Sequence, residues 1–218
     1  MAAPRHPAPK MRSFFLLVTF LSALVFPWLE APPASAQDIE NLAAQARAAF
    51  FDTAWAEAER LDRIGYEAAA QKFGPESPEA GWWLAALADA MCRADSTPVN
   101  RPWTDRAHTQ ALPLAVRAMG ILERAYGKDD IRTANAYMST TVALAGLYRH
   151  PEGDPYGRAA LRIVEKTQPS AERDLLVLKL WYYATHLHII DHNVEAQEYE
   201  ERLSFAQYGR LIDPARLE

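Results

Sequence analysis

From Ile39 onward, apolar residues return every three or four positions, as in Leu42, Ala43, Ala46 and Ala49, or Leu84, Ala85, Leu87 and Ala88. That spacing places them on one face of an α-helix, and hardly any run of alternating β-branched residues is long enough to make a strand. The pattern therefore predicts an all-α chain. Breakers divide it at Gly74-Pro75, at residues 95–102, at Gly127, at residues 151–155, at Pro169-Ser170 and at residues 191–193. Glycine accepts the left-handed conformation that closes a helix and proline stops propagation, so these positions predict helix ends. The expected helices are 39–51, 54–73, 77–93, 105–126, 130–149, 156–168, 171–190 and 194–210, with the first two able to run on as one.

The register of the pattern repeats. Ile121-Leu122-Glu123-Arg124-Ala125 returns forty-two residues later as Ile163-Val164-Glu165-Lys166-Thr167, Ala118 and Met119 fall on Ala160 and Leu161, and Leu203 lies one unit beyond Leu161. Tyr66–Gly74 matches Met119–Gly127 at a spacing of fifty-three, and the excess of eleven equals the Pro-rich segment 94–104. Four helical hairpins follow, with an insertion inside the second. A single amphipathic hairpin cannot bury its apolar face alone, whereas stacked hairpins share a core and leave a concave surface. Small alanine faces let helices approach closely, and Trp55, Trp82, Trp83, Tyr137, Tyr148, Trp181 and Tyr182 are large enough to fill gaps between them.

These units resemble tetratricopeptide repeats of the long, forty-two-residue kind found in kinesin light chains. Leu144-Ala145-Gly146-Leu147-Tyr148-Arg149 is similar to the Leu-Ala-x-x-Tyr core of a first helix. Residues 56–61 (Ala-Glu-Ala-Glu-Arg-Leu) and 195–203 are similar to second helices, with Ala70-Gln71-Lys72-Phe73-Gly74 as an end. The resemblance covers about 170 residues. It departs from the family pattern at Pro151, at the second unit's loop and after Asn193. It implies a right-handed superhelical solenoid whose first helices line the inner wall, so Asn135 and Tyr137 in the third unit and Lys179, Tyr182 and Tyr183 in the fourth become expected contacts for another protein or an extended peptide. Arg101 and Trp103 in the inserted loop form a second expected contact, since a Trp beside Arg often anchors an interface.

The first 36 residues have a different composition. Lys10 and Arg12 precede a mostly apolar stretch of sixteen residues, Phe14–Leu29, and a Pro/Ala-rich segment ends in Ala34-Ser35-Ala36. These are the three parts of an export signal, with cleavage expected before Gln37 and Met11 as an alternative start. Sixteen helical residues span about 24 Å, short of the roughly 30 Å hydrocarbon core, which disfavours the rival reading of an uncleaved anchor. The expected organisation is a leader over 1–36 and one solenoid domain over 37–218. The expected location is the periplasm, with secretion as the second choice. Removing the leader leaves 20 Lys/Arg and 27 Asp/Glu, a net of −7 against −5 for the 218-residue chain. An acidic body without a basic cluster disfavours nucleic acid and anionic membranes.

Candidate chemistry is sparse. The lone cysteine, Cys92, excludes an internal disulfide framework and reads as a buried thiol; a nucleophilic role would need His108 or His150 as its base. His188 and His192 would share a face if one helix carried both, a spacing able to grip zinc, copper or nickel, but the arrangement is not His-Glu-x-x-His and lacks an assured third ligand. Asp191, His192 and Asn193 read better as a cap and turn. Glu57, Glu59 and Glu67, or Glu198, Glu200, Glu201 and Asp213, could pair for acid and base work in a groove, yet helical carboxylates usually form a solvated face. No phosphate-binding glycine loop is present. The sequence thus predicts a non-catalytic adaptor or scaffold with no cofactor and no metal. A metal-binding or hydrolytic envelope protein using His188 and His192 or groove carboxylates is the alternative.

Overall fold

The computed structural model describes residues 36–95 and 105–208. The leader, the inserted segment with Arg101 and Trp103, and Asp213 lie outside them. Eight helices run through the described residues, and no strand occurs among them: α1 Ala36–Phe51, α2 Trp55–Phe73, α3 Pro78–Asp95, α4 Asp105–Tyr126, α5 Ile131–Gly146, α6 His150–Lys166, α7 Ala171–Ile189 and α8 Asn193–Tyr208. Each helix packs on the next in pairs, giving about four stacked hairpins. The first helices α3, α5 and α7 pack in series, while α8 adds to α6 behind them.

The repeat is legible in the turns as well as the core. Between hairpins, Gly74 and Gly127 take positive φ (97° and 85°), and each accepts a helix end by donating its N–H to the carbonyl four residues back, Ala70 and Glu123. Three residues later Ser77 Oγ accepts from Ala80 N–H and Asp130 Oδ1 accepts from Arg132 N–H, so both following helices begin with a side-chain cap. Inside the first, third and fourth hairpins a second turn recurs. Thr53, Tyr148 and Asp191, none of them glycine, hold φ of 57°, 58° and 63°. In each, the next residue's N–H reaches the carbonyl five back at 2.9 Å: Ala54 to Ala49, Arg149 to Leu144, His192 to Leu187. This six-to-one bond is the Schellman closure of a helix.

The forty-two-residue register marks the core. Ala118, Ile121 and Leu122 in α4, Ala160, Leu161, Ile163 and Val164 in α6, and Leu203 and Ala206 in α8 are all buried. Arg173, itself buried, ties three helices: its Nε donates to Val164 O near the end of α6 at 3.2 Å, and Nη2 to Ala206 O near the end of α8 at 2.9 Å. Outside, Arg158 bridges to Glu198 and Arg202 to Glu165, riveting α6 to α8.

Three expectations need correction. Helix α6 starts at His150, not 156, because Pro151 occupies its first turn, where the missing N–H has no partner to lose; Pro155 continues the helix at the loss of a bond further in. Helix α5 accordingly stops at Gly146. Tyr148, placed by the resemblance in a repeat core, is instead the closing residue of that turn and 67% exposed. No described helix is long and apolar enough to cross a membrane.

Candidate functional site

A cleft of about 440 Å³, measured out to its open mouth, lies among all four first helices. Ala46, Arg47 and Phe50 of α1, Trp82 and Ala86 of α3, Asn135 of α5, and Leu175 and Lys179 of α7 line it, together with Asp62 of α2. For α1 to share a cleft with α7 the inner layer must curl. Side chains of the two helices indeed meet in the same order along both: Arg47 Nη2 lies 3.5 Å from Glu172 Oε1, Lys179 Nζ sits 5.4 Å from the centre of the Phe50 ring, and Trp55, at the start of α2, meets Tyr182 edge-on at 5.8 Å. The inner face is therefore a bridged cleft rather than an open trough.

Beneath the cleft is a buried ionic network. Asp89 of α3 is fully buried; Arg93 Nε donates to its Oδ1 at 3.1 Å and Lys179 Nζ lies 3.3 Å from its Oδ2. Burial alone would raise the Asp89 carboxyl, but the Arg93 and Lys179 charges hold it below its usual range. Asp62, 4% exposed, has the opposite fate: burial pushes it up to about 8, Lys179 opposing and Asp89 reinforcing the shift. The Arg93 guanidinium also sits 4.8 Å from the Tyr182 ring, 5.1 Å from Phe50 and 5.5 Å from Trp55, forming a half-buried cation–aromatic cluster. Two cleft residues carry polar atoms that are buried without a hydrogen-bond partner, Arg47 Nε and Asn135 Oδ1. The Asn135 amide nitrogen is used within its own helix, donating to Ile131 O at 3.2 Å.

The residues expected at the inner wall divide. Asn135 and Lys179 line the cleft, and Tyr182 joins the cation–aromatic cluster at its side. Tyr137 is buried, donating its hydroxyl to Glu123 Oε1 at 2.7 Å and packing on Tyr156. Tyr183 is buried against Tyr199 in the core of the last hairpins. The carboxylates Glu57 and Glu59 pair with Arg60 and Arg63 along α2, and Glu198 with Arg158 and Arg202.

His188 and His192 do not share a helix face, because Asp191 closes α7 between them. His188 contacts Asn193 Oδ1 at 2.8 Å and Glu200 Oε1 at 3.1 Å, whereas His192 turns toward His150, whose ring stacks on His186 at 5.3 Å. Burial, reinforced by His150, His108 and His192, lowers His186 to about 4. Among the described residues no group of three or more His, Cys, Asp or Glu is arranged to hold a metal ion. Cys92 is buried among Ala88, Ala111, Ala115 and Ala143.

Reasoning from sequence missed Asp62, Asp89, Arg93 and Arg47. A signal for two of them existed. Asp89 is the sole charge in the run Trp82–Cys92, and Asp62 falls on the buried stripe Ala58, Leu61, Gly65, Ala69 of α2. A carboxylate at such positions must be paired or protonated. The described residues form an all-helical, repeat-like bundle consistent with a generic helical-repeat architecture; no family model matches the chain, and no match was found among curated proteins.

Proposed function

We propose that this chain is a non-catalytic adaptor or scaffold that holds another protein, or an extended segment of one, against its inner face. Tetratricopeptide-like repeats and an export signal make a periplasmic complex, or a secreted one, the setting this reading favours. The observation that carries it is the cluster of Arg93, Trp55 and Tyr182 beside the cleft. Arginine, tryptophan and tyrosine dominate binding energy at interfaces, because each offers a large, rigid contact area with a polar end. Asn135 and Lys179 supply polar groups next to them, and Arg101 and Trp103 of the inserted segment belong to the same proposal. The carboxylates paired with arginine and the separated His188 and His192 give the hydrolytic and metal readings no support. Neither membrane nor nucleic acid enters this reading, except that an uncleaved leader or a membrane-protein partner would bring the chain to a bilayer.

The test is affinity capture from envelope extract with the full chain and with Trp55→Ala and Tyr182→Ala. A stoichiometric protein partner is expected, with recovery falling about tenfold or more for each variant, as for interface anchors. Equal recovery with all three chains, or no partner at native abundance, would count against the adaptor reading.

A further inference from the structure

We infer that the cleft bounded by α1, α3, α5 and α7 is a binding site for a small zwitterion of the α-amino-acid type. Its lining carries both halves of such a ligand's complement. Asn135, 5% exposed, has a carbonyl oxygen with no hydrogen-bond partner, and Arg47 has an Nε–H with none. A buried acceptor and a buried cationic donor on two different helices each cost free energy until something satisfies them. Beside them stand a carboxyl, Asp62, and an ammonium, Lys179. An ammonium group would take Asn135 Oδ1 and Asp62, and a carboxylate would take Arg47, with Lys179 remaining on Asp89. A purely anionic or purely cationic ligand would leave one of the two open groups, Asn135 Oδ1 or Arg47 Nε, unanswered. Phe50, Trp82, Leu175, Ala46 and Ala86 provide an apolar wall for the rest of the molecule.

The bridges set the size. Arg47–Glu172 and Trp55–Tyr182 span the inner face on either side of the Phe50–Lys179 contact. A continuous polypeptide would have to break them to enter, while a free amino acid or very short peptide would not. The site shares Asn135 and Lys179 with the surface assigned above to a protein partner, but it rests on the open groups of Arg47 and Asn135, so the inference does not depend on that reading. One further consequence follows from burial. Asp62 is mostly protonated at neutral pH, with Asp89, Arg93, Lys179 and Arg47 the charged groups around it. An incoming ammonium favours its ionised form, so binding releases a proton.

The experiment is isothermal titration of the full chain with the free L-amino acids and, for any that bind, with the matched carboxylic acid lacking the amine and the matched amine lacking the carboxylate. Alanine di- and tripeptides distinguish a free amino acid from a peptide as the source. At least one zwitterion is expected to bind, both half-molecules at least tenfold more weakly, with heat at pH 7 that varies with the buffer's ionisation enthalpy. Asn135→Ala and Arg47→Gln should each weaken binding about tenfold or more, the loss of a hydrogen bond to a charged group. Arg47→Gln also removes the 3.5 Å contact to Glu172, a part-exposed pair that contributes little to stability, so its melting curve without ligand is recorded beside the parent's to show that it still folds. Absence of any binding zwitterion, equal affinity for a half-molecule, or undiminished binding by Arg47→Gln would overturn the inference, whatever the outcome of partner capture.

Discussion

Replacing Asp62 by Asn removes a charge that the fold accommodates badly while keeping nearly the same shape. The carboxyl titrates near 8 in the folded protein against 3.8 without the fold. A folded-state pKa raised above the unfolded value gives stability that is fully present below the unfolded value and is lost as pH rises toward the folded one. Between pH 5 and pH 7 the unfolded chain has released this proton and the folded chain has kept it. Each pH unit then costs about 1.4 kcal/mol, so Asp62 alone removes at most about 3 kcal/mol of stability over that interval. Asparagine has no such dependence. Urea denaturation followed by far-ultraviolet circular dichroism at several pH values should show Asp62→Asn gaining on the parent from pH 5 to 7 and levelling off beyond about pH 8; in thermal melts the gain is about 6–12 °C for a domain of this size. Histidines change the absolute stability of both proteins over the same range, so the difference between the two curves is the quantity that matters. A gap that stays constant from pH 5 to 8 would refute the burial argument.

Acid should act in the opposite sense on His186, whose pKa is depressed to about 4. Its contribution is present above the ordinary histidine value and is lost as pH falls toward 4, so His186→Gln should lose less stability than the parent between pH 7 and 4.5 in urea melts. Arg173→Met should destabilise by about 1–3 kcal/mol, since it removes the guanidinium's bond to the Ala206 carbonyl and leaves the Val164 carbonyl only its 3.3 Å bond from Thr167 N–H; no measurable loss would mean that other groups satisfy the Ala206 carbonyl. Two glycines form a matched pair. A Cβ on Gly65 would overlap the Trp83 ring, whereas one on Gly120 meets only Arg124 Nη1 at 3.5 Å. Gly65→Ala should therefore cost about 1–3 kcal/mol through overpacking, and Gly120→Ala should gain up to about 1 kcal/mol through helix propensity, both read from urea midpoints.

Helix count and hairpin pairing were readable because apolar spacing and glycine turns are local properties. The two ends misplaced around residues 147–155 show where locality fails. Prolines at 151 and 155 look like a breaker to any rule that counts them singly, yet a helix's first turn has no N–H bond for Pro151 to lose. The left-handed turn just before it rests on Tyr148, a residue with no sequence signal for positive φ. Asn135 and Lys179 could be placed on an inner wall because the resemblance to tetratricopeptide repeats implies that first helices line it. Tyr137 and Tyr183 occupy first helices too, but their rings turn into the hairpin interiors toward Tyr156 and Tyr199, a choice made by the rotation of each helix rather than by its position in the array. Least legible was the meeting of α1 with α7. It depends on how far four units curl, a sum of small rotations that no single stretch of sequence records.

That meeting also has a timetable. Arg47 and Glu172 stand 125 residues apart, so one side of the cleft leaves the ribosome long before the other exists. Hairpin contacts form locally and early, while closure across such a separation waits for the chain to be nearly complete. Until α7 arrives, the acidic pair Asp62 and Asp89 lacks Lys179 and Trp55 lacks the Tyr182 ring, leaving Arg93 beside Asp89 and Trp55 against the Phe50 ring. A chain cut short before the last hairpin would therefore expose an apolar, badly compensated face rather than present a shorter version of the same protein. Completeness of the chain is thus built into the chemistry of its inner surface.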